Sequence, residues 1–310
     1  MASEGSDSTK SAETRGPELS IVIPAYNEGA ALGAVLGALK AERLPRFEIV
    51  VVDDGSTDDT AAVAASCGAR VIRHPYNIGN GAAVKTGLRA ARGRLVVLMD
   101  GDGQHPTTAI PALLESLGEY HMVVAARVRR SEAGWHRLFA NRIYSWFASY
   151  VAQYRVEDLT SGFRAMRRRD VLRFIDMLPN TFSYPTTLTL AFLRSGLAVQ
   201  YVSVGFGRRT GESKINLWRD GTRFLLIISK VATLFAPFRV FLPVSASFFA
   251  TGLAYYAYTF VTAHRFTNMA ALLLSTSVVI FMLGLVSEQI AQLRMDRLSG
   301  ALDAGDDHAA

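Results

Sequence analysis

Two aspartates at the end of an apolar run are the residues of this chain best suited to chemistry. Residues 95–99 are apolar, and Asp100 and Asp102 follow them with one glycine between. Such a run suits a buried strand, and open α/β sheets bind ligands at the carboxyl ends of their strands. Two carboxylates placed there can hold a divalent cation that carries a diphosphate. Because Asp-Gly is also common in turns, a polar turn after the strand stays open as an alternative.

Polar residues also follow two earlier apolar runs. Residues 21–23 lead into Pro-Ala-Tyr-Asn-Glu at 24–28, and residues 50–52 lead into Asp-Asp-Gly-Ser-Thr-Asp at 53–58. The carboxyl ends of parallel strands meet at one edge of a sheet, so these segments predict a cleft across which a nucleotide can lie. Asn27 and Asp58 precede helical stretches and are expected to cap them.

The elements that must position these residues alternate along the chain. Strands are predicted at 19–23, 47–52, 69–72 and 95–99, and helices at 30–40, 59–67 and 81–92. This alternation predicts an α/β fold, a mostly parallel sheet flanked by helices. A further strand is predicted at 122–126, then a helical region at 135–154 and, later, an apolar segment at 199–204. This second half is expected to form the wall of the cleft that faces a second substrate.

Composition limits the class of protein. Of the 310 residues, 50% are hydrophobic and the mean hydropathy is +0.19, which is high for a wholly soluble protein. The lone Cys67 excludes an internal disulfide and a cysteine metal cluster. The formal net charge is +6, and the arginines gather in the middle of the chain and beside apolar segments. Phosphorylated substrates and a membrane are therefore the expected partners, and nucleic acid is not.

The last third of the chain is suited to lipid. Residues 240–263 and 269–286 carry no charge, and each approaches the roughly 20 residues that a bilayer span requires. They predict a hairpin of two transmembrane helices within 239–293. Two buried helices of a soluble fold are a weaker alternative, because neither run has a polar face. Residues 216–238 are expected to form amphipathic helices along the membrane interface.

Basic residues predict the orientation of this hairpin. They flank it on both sides, whereas the short connection carries only Arg265; the flanking ones are Arg219, Arg223, Lys230, Arg239, Arg294 and Arg297. The positive-inside bias then places both flanks and the preceding α/β domain in the cytoplasm. Residues 1–18 have no apolar run of a signal peptide and are expected to be a disordered tail. Residues 294–310 are expected to form a cytoplasmic tail.

Three motifs together resemble the family 2 glycosyltransferases. They are Pro-Ala-Tyr-Asn-Glu at 24–28, Asp-Asp-Gly-Ser-x-Asp at 53–58 and Asp-x-Asp-x-Gln-His at 100–105. The hairpin makes the chain more similar to the polyprenyl-phosphate glycosyltransferases, which include the dolichyl-phosphate mannose synthases. The resemblance implies a GT-A (Rossmann-like) domain over residues 19–215. It also implies a metal-dependent, inverting transfer of a sugar from a UDP- or GDP-sugar to undecaprenyl or dolichyl phosphate.

The resemblance implies a set of residues for the nucleotide sugar. Base and ribose would be held by Pro24, Ala25, Tyr26, Glu28 and Asp54. As ionised carboxylates, Asp54 and Glu28 can accept hydrogen bonds from a base N–H and from ribose hydroxyls, whereas Asp53 is expected to be structural. Asn77, in the glycine-containing segment at 77–81, and Lys85 after it match further donor contacts. A simple turn is an equal alternative for that segment.

The aspartate motif matches the metal-binding segment of the family. It supplies Asp100, Gly101, Asp102 and Gln104 to the donor, and Asp100, Asp102 and Gln104 to Mg²⁺ or Mn²⁺. Oxygen-only ligation suits these hard ions better than zinc. The cation would stabilise charge on the leaving nucleoside diphosphate. His105 is expected to orient the loop and to stay outside the metal ligands.

Basic residues are implied on the acceptor side. Arg127, after the strand at 122–126, matches an arginine that contacts the lipid phosphate, and Arg137 or Arg142 on the next helix is a further contact. Guanidinium groups suit phosphate because they donate two parallel hydrogen bonds. The arginine run at 167–169 has no such match and is interpreted as surface.

A second basic segment matches a loop of the family. Residues 208–214 match the pattern Arg-x-x-Gly-x-Ser-Lys, a loop expected to close over the donor diphosphate and the acceptor phosphate. The resemblance assigns Arg208 and Lys214 to the donor and Ser213 to the acceptor phosphate. A solvated basic loop is the alternative.

Asp158 matches an acceptor-side aspartate that is often taken as a general base. A lipid phosphate is already anionic near neutral pH, so it can attack the anomeric carbon without losing a proton. Asp158 can therefore instead orient the acceptor loop, and both roles stay open. The expected reaction is a single in-line displacement with inversion, driven mostly by approximation. Its catalytic residues would be Asp102, Asp158, Arg127 and Arg208.

One segment departs from the dolichyl-phosphate mannose synthases. Residues 180–187 read Asn-Thr-Phe-Ser-Tyr-Pro-Thr-Thr where those proteins usually carry an acidic Phe-Glu segment, so a mannose donor is not carried over. A polysaccharide synthase is a weaker alternative, because Trp218 lacks the Gln-x-x-Arg-Trp context. An inactive membrane scaffold is disfavoured by the retained Asp100, Asp102, Gln104 and Arg208. Two spans are too few for a conduit, so a homo-oligomer is expected, a tetramer by analogy.

Overall fold

The structure, a computed structural model, describes residues 16–127, 149–150, 154, 157–181, 183–207 and 233–306. The chain divides into two units, one of residues 1–132 and 157–213 and one of residues 133–156 and 214–310. Several predictions fall outside the described residues: those for the tail at 1–15, for most of the interfacial segment, and for Arg137, Arg142, Arg208, Ser213 and Lys214.

The first unit contains a seven-stranded sheet. Its strands are β1 (Leu19–Ala25), β2 (Phe47–Asp53), β3 (Arg70–Arg73), β4 (Leu95–Leu98), β5 (Met122–Arg127), β6 (Arg164–Arg167) and β7 (Val199–Val204). The strand order is β3-β2-β1-β4-β6-β5-β7. All neighbouring pairs are parallel except those of β6, which runs antiparallel to β4 and β5. The prediction of a mostly parallel α/β sheet is confirmed.

Helices cover the central strands of the sheet. In the first unit they are α1 (Gly29–Ala41), α2 (Thr60–Ser66), α3 (Asn80–Ala90), α4 (Ile110–Ser116), α5 (Arg168–Leu172) and α6 (Tyr184–Arg194). Every residue of β1 is buried, which explains why residues 21–25 are apolar without alternation. The apolar residues of α1 recur with helical spacing and are its buried ones: Leu32, Val35, Leu36 and Leu39. Up to β4, the predicted elements agree with the structure to within two residues at each end.

Gly87 marks the closest approach of α3 to the sheet. A Cβ atom there would lie 2.3 Å from Cγ1 of Val22 and 3.2 Å from Cγ2 of Val52. We expect Gly87→Ala to lower the free energy of unfolding by about 1–3 kcal/mol, because it overpacks a filled core. Gly37 in α1 is the matched control, since a Cβ there meets nothing within 4 Å. Gly37→Ala is expected to raise the stability by roughly 0.5–1 kcal/mol. Thermal unfolding in one detergent compares the two, and equal shifts would contradict the prediction.

The second unit contains two long apolar helices, α7 (Pro237–Ala263) and α8 (Asn268–Asp306). By length and composition, Pro237–Ala263 and Asn268–Arg294 could each cross a membrane, with mean hydropathies of 1.4 and 2.4. Only 11% and 17% of their most apolar stretches are buried among the described residues, whereas the core helix of a soluble protein is mostly buried. Helix α8 continues to Asp306, so part of the predicted C-terminal tail is helical.

Small residues bring α7 and α8 close together. A Cβ on Gly252 would lie 3.0 Å from Cβ of Leu273, and one on Gly284 would lie 2.8 Å from Cβ of Phe241. Ser245 also donates a hydrogen bond from Oγ to the carbonyl of Ser277 at 2.8 Å. Glycine at close crossings and hydroxyl groups across the contact are typical of helix pairs in lipid.

Candidate active site

The loops that follow β1 and β2 are tied together by their polar residues. Asn27 has a φ of +55°, and its Oδ1 accepts the N–H of Thr57 at 2.9 Å. Asp58 accepts the N–H of Gly29 at 3.1 Å. The prediction that Asn27 caps a helix is wrong, because Glu28 lies directly before α1 and the Asn27 side chain bonds to the loop after β2. Asp58 does cap the start of α2, since its Oδ1 also accepts the N–H of Thr60 at 3.1 Å. Both side chains also fix the relative position of the two loops.

The adjacent aspartates at the end of β2 have different surroundings. Asp53 is fully buried; its Oδ1 accepts the N–H of Ser56 at 2.8 Å, and its Oδ2 lies 3.2 Å from Nε of Arg73. These contacts agree with the structural role predicted for it. Asp54 is also buried, but it lines the cleft at the carboxyl edge of the sheet.

The carboxylate of Asp54 organises the loop after β3. Its Oδ1 lies 2.7 Å from Nδ1 of His74 and accepts the N–H of Ile78 at 3.1 Å, while its Oδ2 accepts the N–H of Gly79 at 2.8 Å. On the other side of the ring, Nε2 of His74 lies 2.9 Å from Oγ1 of Thr86. A carboxylate has about four lone-pair positions, so Oδ2 can accept one further hydrogen bond from a ligand.

The glycine-containing turn packs against a distant segment and also borders the cleft. Gly79 has a φ of +123°, and a Cβ there would lie 2.4 Å from the carbonyl oxygen of Asn180. Asn77, Gly79 and Asn80 line the cleft. Lys85 does not: its Nζ donates to the carbonyl of Leu178 at 3.1 Å. The structure therefore gives no support to the predicted donor contact of Lys85.

Asp100 and Asp102 lie on a tight turn after β4. Oδ1 of Asp102 accepts the N–H of Gln104 at 3.0 Å, and Gly103 has a φ of +75° that favours glycine. The N–H of Asp100 donates to Nδ1 of His105 at 3.0 Å. The polar turn that the sequence analysis left open as an alternative is therefore present, and the two carboxylates belong to it.

The side chain of His105 stabilises this turn. It is buried, stacks on Phe163 with ring centroids 4.9 Å apart, and packs edge-on against Phe206. Burial lowers the pKa of His105, although Asp100 and Asp102 oppose the shift. The neutral ring accepts from the Asp100 amide at Nδ1, so its proton lies on Nε2, which is 3.7 Å from Oδ2 of Asp100. His105 thus orients the loop, in agreement with the role predicted for it.

The aspartate pair fits a hard divalent cation. Within the described residues, no group of three His, Cys, Asp or Glu side chains is arranged to hold a metal, so the protein offers a carboxylate pair here. Mg²⁺ is commonly bound in this way, by one or two carboxylates together with substrate phosphates and water. There is room beside the pair, because Gly162 carries no side chain. A Cβ on it would come within 3.3 Å of Oδ2 of Asp100.

Asp158 anchors the loop that borders the acceptor side. Its Oδ1 accepts the N–H groups of Thr160 at 2.9 Å and Ser161 at 3.1 Å, and its Oδ2 accepts the N–H of Arg127 at 3.4 Å. The guanidinium of Arg127 lies over the ring of Phe206, 5.2 Å from its centroid. Arg127 lines the cleft, whereas Asp158 is not among its lining residues. Asp158 therefore makes the contacts that the orienting role requires.

These side chains surround one cavity of about 510 Å³, a size that suits a small-molecule ligand. Most of the predicted site residues that the structure describes line it: Pro24, Ala25, Tyr26, Glu28, Asp54, Asn77, Asp100, Gly101, Asp102, Gln104 and Arg127. It is also lined by residues that were not predicted: Gly79, Asn80, Thr160, Gly162, Tyr184 and Pro185.

The sequence of the chain matches two known families. Residues 20–175 match the family described as Glycosyl transferase family 2. The chain belongs to this family. Residues 236–293 match a second one, the GtrB C-terminal hairpin. The resemblance predicted from the three motifs and the hairpin is therefore confirmed.

Relatives agree with this assignment, and a solved structure has the same fold. An uncharacterized glycosyltransferase of Mycobacterium tuberculosis is 33% identical over 204 residues, 65% of this chain and 91% of that protein. The dolichyl-phosphate hexose transferase of Haloferax volcanii is 31% identical over 217 residues, 69% of this chain and 93% of that protein. A crystal structure of the glucosyl-3-phosphoglycerate synthase of M. tuberculosis shares the fold. It has a TM-score of 0.57 at 24% identity and covers 71% of this chain and 82% of that one.

The guanidinium of Arg164 is buried next to the cleft of this glycosyltransferase. Arg164 on β6 is fully buried and donates to the carbonyls of Ser161 and Pro185 and to Oγ1 of Thr189. Among the described residues, no carboxylate forms an ion pair with it, and its Nε has no hydrogen-bond partner. Burial lowers the pKa of Arg164, which nearby groups, including Tyr184 and Asp158, oppose. Arg164 thus joins two segments that line the cleft.

Tyr184 lines the same wall of the glycosyltransferase site. Burial raises the pKa of its phenol, with a further contribution from Asp100, so the hydroxyl keeps its proton. Its oxygen is 3.1 Å from the position that a Cβ on Gly162 would take. Sequence reasoning missed Tyr184, Arg164 and His74. For His74 a signal was present, because it directly follows β3 at the same sheet edge.

Proposed function

We propose that this glycosyltransferase moves a sugar from a UDP- or GDP-sugar to a polyprenyl phosphate, giving a sugar linked to the lipid through one phosphate. One observation carries the proposal: a cleft with paired carboxylates occurs in a chain that also has the GtrB hairpin. A polyprenyl acceptor needs a membrane, and the hairpin supplies the attachment. The dolichyl-phosphate hexose transferase of H. volcanii, similar over 93% of its length, supports this acceptor.

In this proposal the nucleotide lies across the ends of β1 and β2. The exposed ring of Tyr26 can stack on the base, the remaining lone pair of Asp54 can accept a base N–H, and Glu28 can accept ribose hydroxyls. Pro24 and Ala25 border the same part of the cleft. Because Asp54 is held by the loop after β3, its orientation is set before the donor arrives.

Mg²⁺ or Mn²⁺ would be held beside the nucleotide by Asp100 and Asp102, with Gln104 as the third oxygen donor. When bound, the cation supplies Lewis-acid stabilisation of the charge that develops on the leaving nucleoside diphosphate. His105 keeps the Asp100 amide in place, and Gly162 leaves space next to the carboxylate. These residues therefore act by preorganising the site for charge.

On the acceptor side, the lipid phosphate is already an anion and needs no proton removed before it attacks. A phosphate oxygen forms the new bond to the anomeric carbon as the bond to the donor diphosphate breaks, with inversion. Arg127, which lines the cleft, would hold the acceptor phosphate, while Asp158 fixes the Arg127 backbone and the loop at 160–161. Arg208, Lys214, Ser213 and Arg137 or Arg142 are proposed to complete the phosphate contacts.

Two variants of Asp158 separate its possible roles. We expect Asp158→Asn to lower kcat by less than about tenfold, because the amide oxygen can still accept the N–H groups of Thr160 and Ser161 and only the long contact to the Arg127 N–H is lost. Removal of a general base costs about 10²–10⁴-fold. Asp158→Ala is expected to lower kcat more, because the N–H groups of Thr160 and Ser161 lose their acceptor. Steady-state kinetics of both variants decides. A thousandfold loss of kcat in both variants would instead assign Asp158 as a general base.

The donor is identified by a transfer assay with the full chain in detergent. A panel of radiolabelled UDP- and GDP-sugars is incubated with polyprenyl phosphate and Mg²⁺ or Mn²⁺, and label is counted in the organic extract. Acid-labile labelled lipid from one donor is the expected result. The panel includes GDP-mannose, because residues 180–187 depart from the mannose synthases and the donor is not carried over from them. No labelled lipid from any donor, with folded protein, would overturn the proposed acceptor.

We further propose that both flanks of the hairpin face the cytoplasm and that the chain forms a homo-oligomer through the hairpin. Small residues on α7 and α8, such as Gly252 and Gly284, are already used within one chain, so contact between chains would need other faces. Mass measurement in detergent tests the assembly, and a uniform monomer would overturn it. The orientation is tested with single cysteines added to the flanks of the hairpin and labelled in intact cells.

A further inference from the structure

A second polar cavity lies at the opposite edge of the sheet from the glycosyltransferase cleft. Its volume is about 560 Å³, and five arginines line it: Arg92, Arg94, Arg167, Arg168 and Arg169. Residues 92–94 precede β4, and the antiparallel β6 ends at Arg167, which pairs in register with Leu95. The cleft residues, in contrast, follow the carboxyl ends of β1, β2 and β4. The cavity is therefore separate from the cleft.

The backbone holds the walls of this cavity in place. The N–H of Gly93 donates to Oγ of Ser20 at 2.8 Å, and the N–H of Arg168 donates to the carbonyl of Arg94 at 2.9 Å. Gly93 is packed so closely that a Cβ there would lie 2.6 Å from the backbone of Leu19 and Ser20. The two arginine-bearing segments are thus fastened to β1 and to each other.

Much of the positive charge in this cavity has no counter-charge. Among the residues that the structure describes, Arg92, Arg94 and Arg168 take part in no ion pair. The buried Nε of Arg168 also has no hydrogen-bond partner. Arg167 donates to the carbonyl of Gly118 at 3.2 Å, which leaves its charge uncompensated as well.

Two acids near these arginines are already paired. Glu48 accepts the backbone N–H of Arg92 at 2.7 Å, and its other oxygen lies 3.2 Å from Arg70. Asp170 lies 3.5 Å from Arg169 and 3.6 Å from Arg173, so it compensates only part of that pair of charges. The lining itself contains no acidic residue. Positive charges that line one cavity without partners repel one another, and a bound anion would relieve that repulsion.

We infer that this arginine cavity binds a phosphate group, carried by an anionic phospholipid headgroup or by a soluble phosphorylated compound. Guanidinium groups recognise phosphate through paired, charge-assisted hydrogen bonds, and several lie around one volume here. A lipid source is available to a chain with a membrane hairpin, and a soluble source is available at any exposed cavity. The inference does not depend on the reaction proposed for the cleft.

The test uses hydrogen exchange of the full chain in nanodiscs, read in peptides that cover residues 92–94 and 167–169. Nanodiscs of phosphatidylcholine alone are compared with nanodiscs that also contain phosphatidylglycerol, and with phosphatidylcholine nanodiscs given pyrophosphate. A chelator is present throughout, so that pyrophosphate is not carried into the cleft by a metal. Exchange in these peptides is expected to slow with phosphatidylglycerol, which identifies a lipid source, or with pyrophosphate, which identifies a soluble one.

A matched pair of double variants completes the test. Arg92→Ala/Arg94→Ala is expected to weaken the apparent affinity for the protecting ligand by about tenfold or more, since two charge-assisted contacts are lost. Arg43→Ala/Arg89→Ala removes the same charge from exposed positions outside the cavity and is expected to behave like the wild type. Unchanged exchange of the wild type with both ligands would overturn the inference. So would equal weakening in the two double variants.

Discussion

Replacing Asp102 by asparagine is expected to lower the rate of sugar transfer by about a thousandfold, because the proposed cation loses one of its two carboxylates. Metal stabilisation of a leaving group is worth several kcal/mol, and about 4 kcal/mol corresponds to a factor of a thousand. The fold of the turn should survive, since the amide retains the oxygen that accepts the N–H of Gln104 at 3.0 Å. The measurement is transfer of labelled sugar into lipid at saturating donor.

Asp176→Asn is the matched control for this variant. Asp176 carries the same charge but is exposed and pairs with Arg89 at 2.8 Å, away from the cleft. We expect its activity to equal that of the wild type. A second readout, Mn²⁺-dependent retention of the nucleoside diphosphate, should be lost in Asp102→Asn alone. If Asp102→Asn kept more than a tenth of the activity, the carboxylate pair would not be the metal site.

The three motifs could be found from the sequence because each follows an apolar strand. Buried parallel strands such as β1 read as continuous apolar runs, and their carboxyl ends meet at one edge, so the residues after them converge. Most of the predicted cleft residues that the structure describes line the cavity for this reason. The hairpin could also be found from the sequence, because a bilayer span requires a long uncharged run.

The features that the sequence did not predict depend on contacts between residues far apart in sequence. Strand β6 reads Arg-Ala-Met-Arg, which has no apolar run, and it is a strand because it pairs with both β4 and β5. Lys85 follows the glycine turn, but its Nζ reaches the carbonyl of Leu178. Asn27 has a cap-forming side chain, but it binds the neighbouring loop instead. Local patterns contain no information on such partners.

Arg164→Met is the second variant with a large expected effect, and it separates function from stability. The change leaves the carbonyl of Ser161 without its donor, a cost of about 1–3 kcal/mol. The carbonyl of Pro185 keeps the hydroxyl of Thr189 at 3.0 Å. Against this cost, a buried guanidinium without an ion pair carries a desolvation penalty of several kcal/mol, which methionine removes. The two terms are similar in size, so we expect the free energy of unfolding to change by less than about 2 kcal/mol.

The activity of Arg164→Met should nevertheless fall by about a hundredfold, equal to about 2.7 kcal/mol of transition-state stabilisation. Arg164 joins the loop at Ser161 to the start of α6 at Pro185, and both segments border the cleft. Its positive charge also interacts with the carboxylates of Asp158 and Asp100. Both effects act on how the site holds charged ligands, so the loss should appear in kcat as well as in KM.

Two further variants assign the loss to the guanidinium. Arg164→Lys keeps the charge but cannot donate to both segments at once, so it should recover only part of the activity. Thr189→Val removes one neutral acceptor of Arg164 and leaves the charge and both carbonyl contacts in place, so it should stay near the wild type. A methionine variant with normal kinetics would reduce Arg164 to a packing residue. One that unfolds would show that the guanidinium stabilises the fold more than its burial costs.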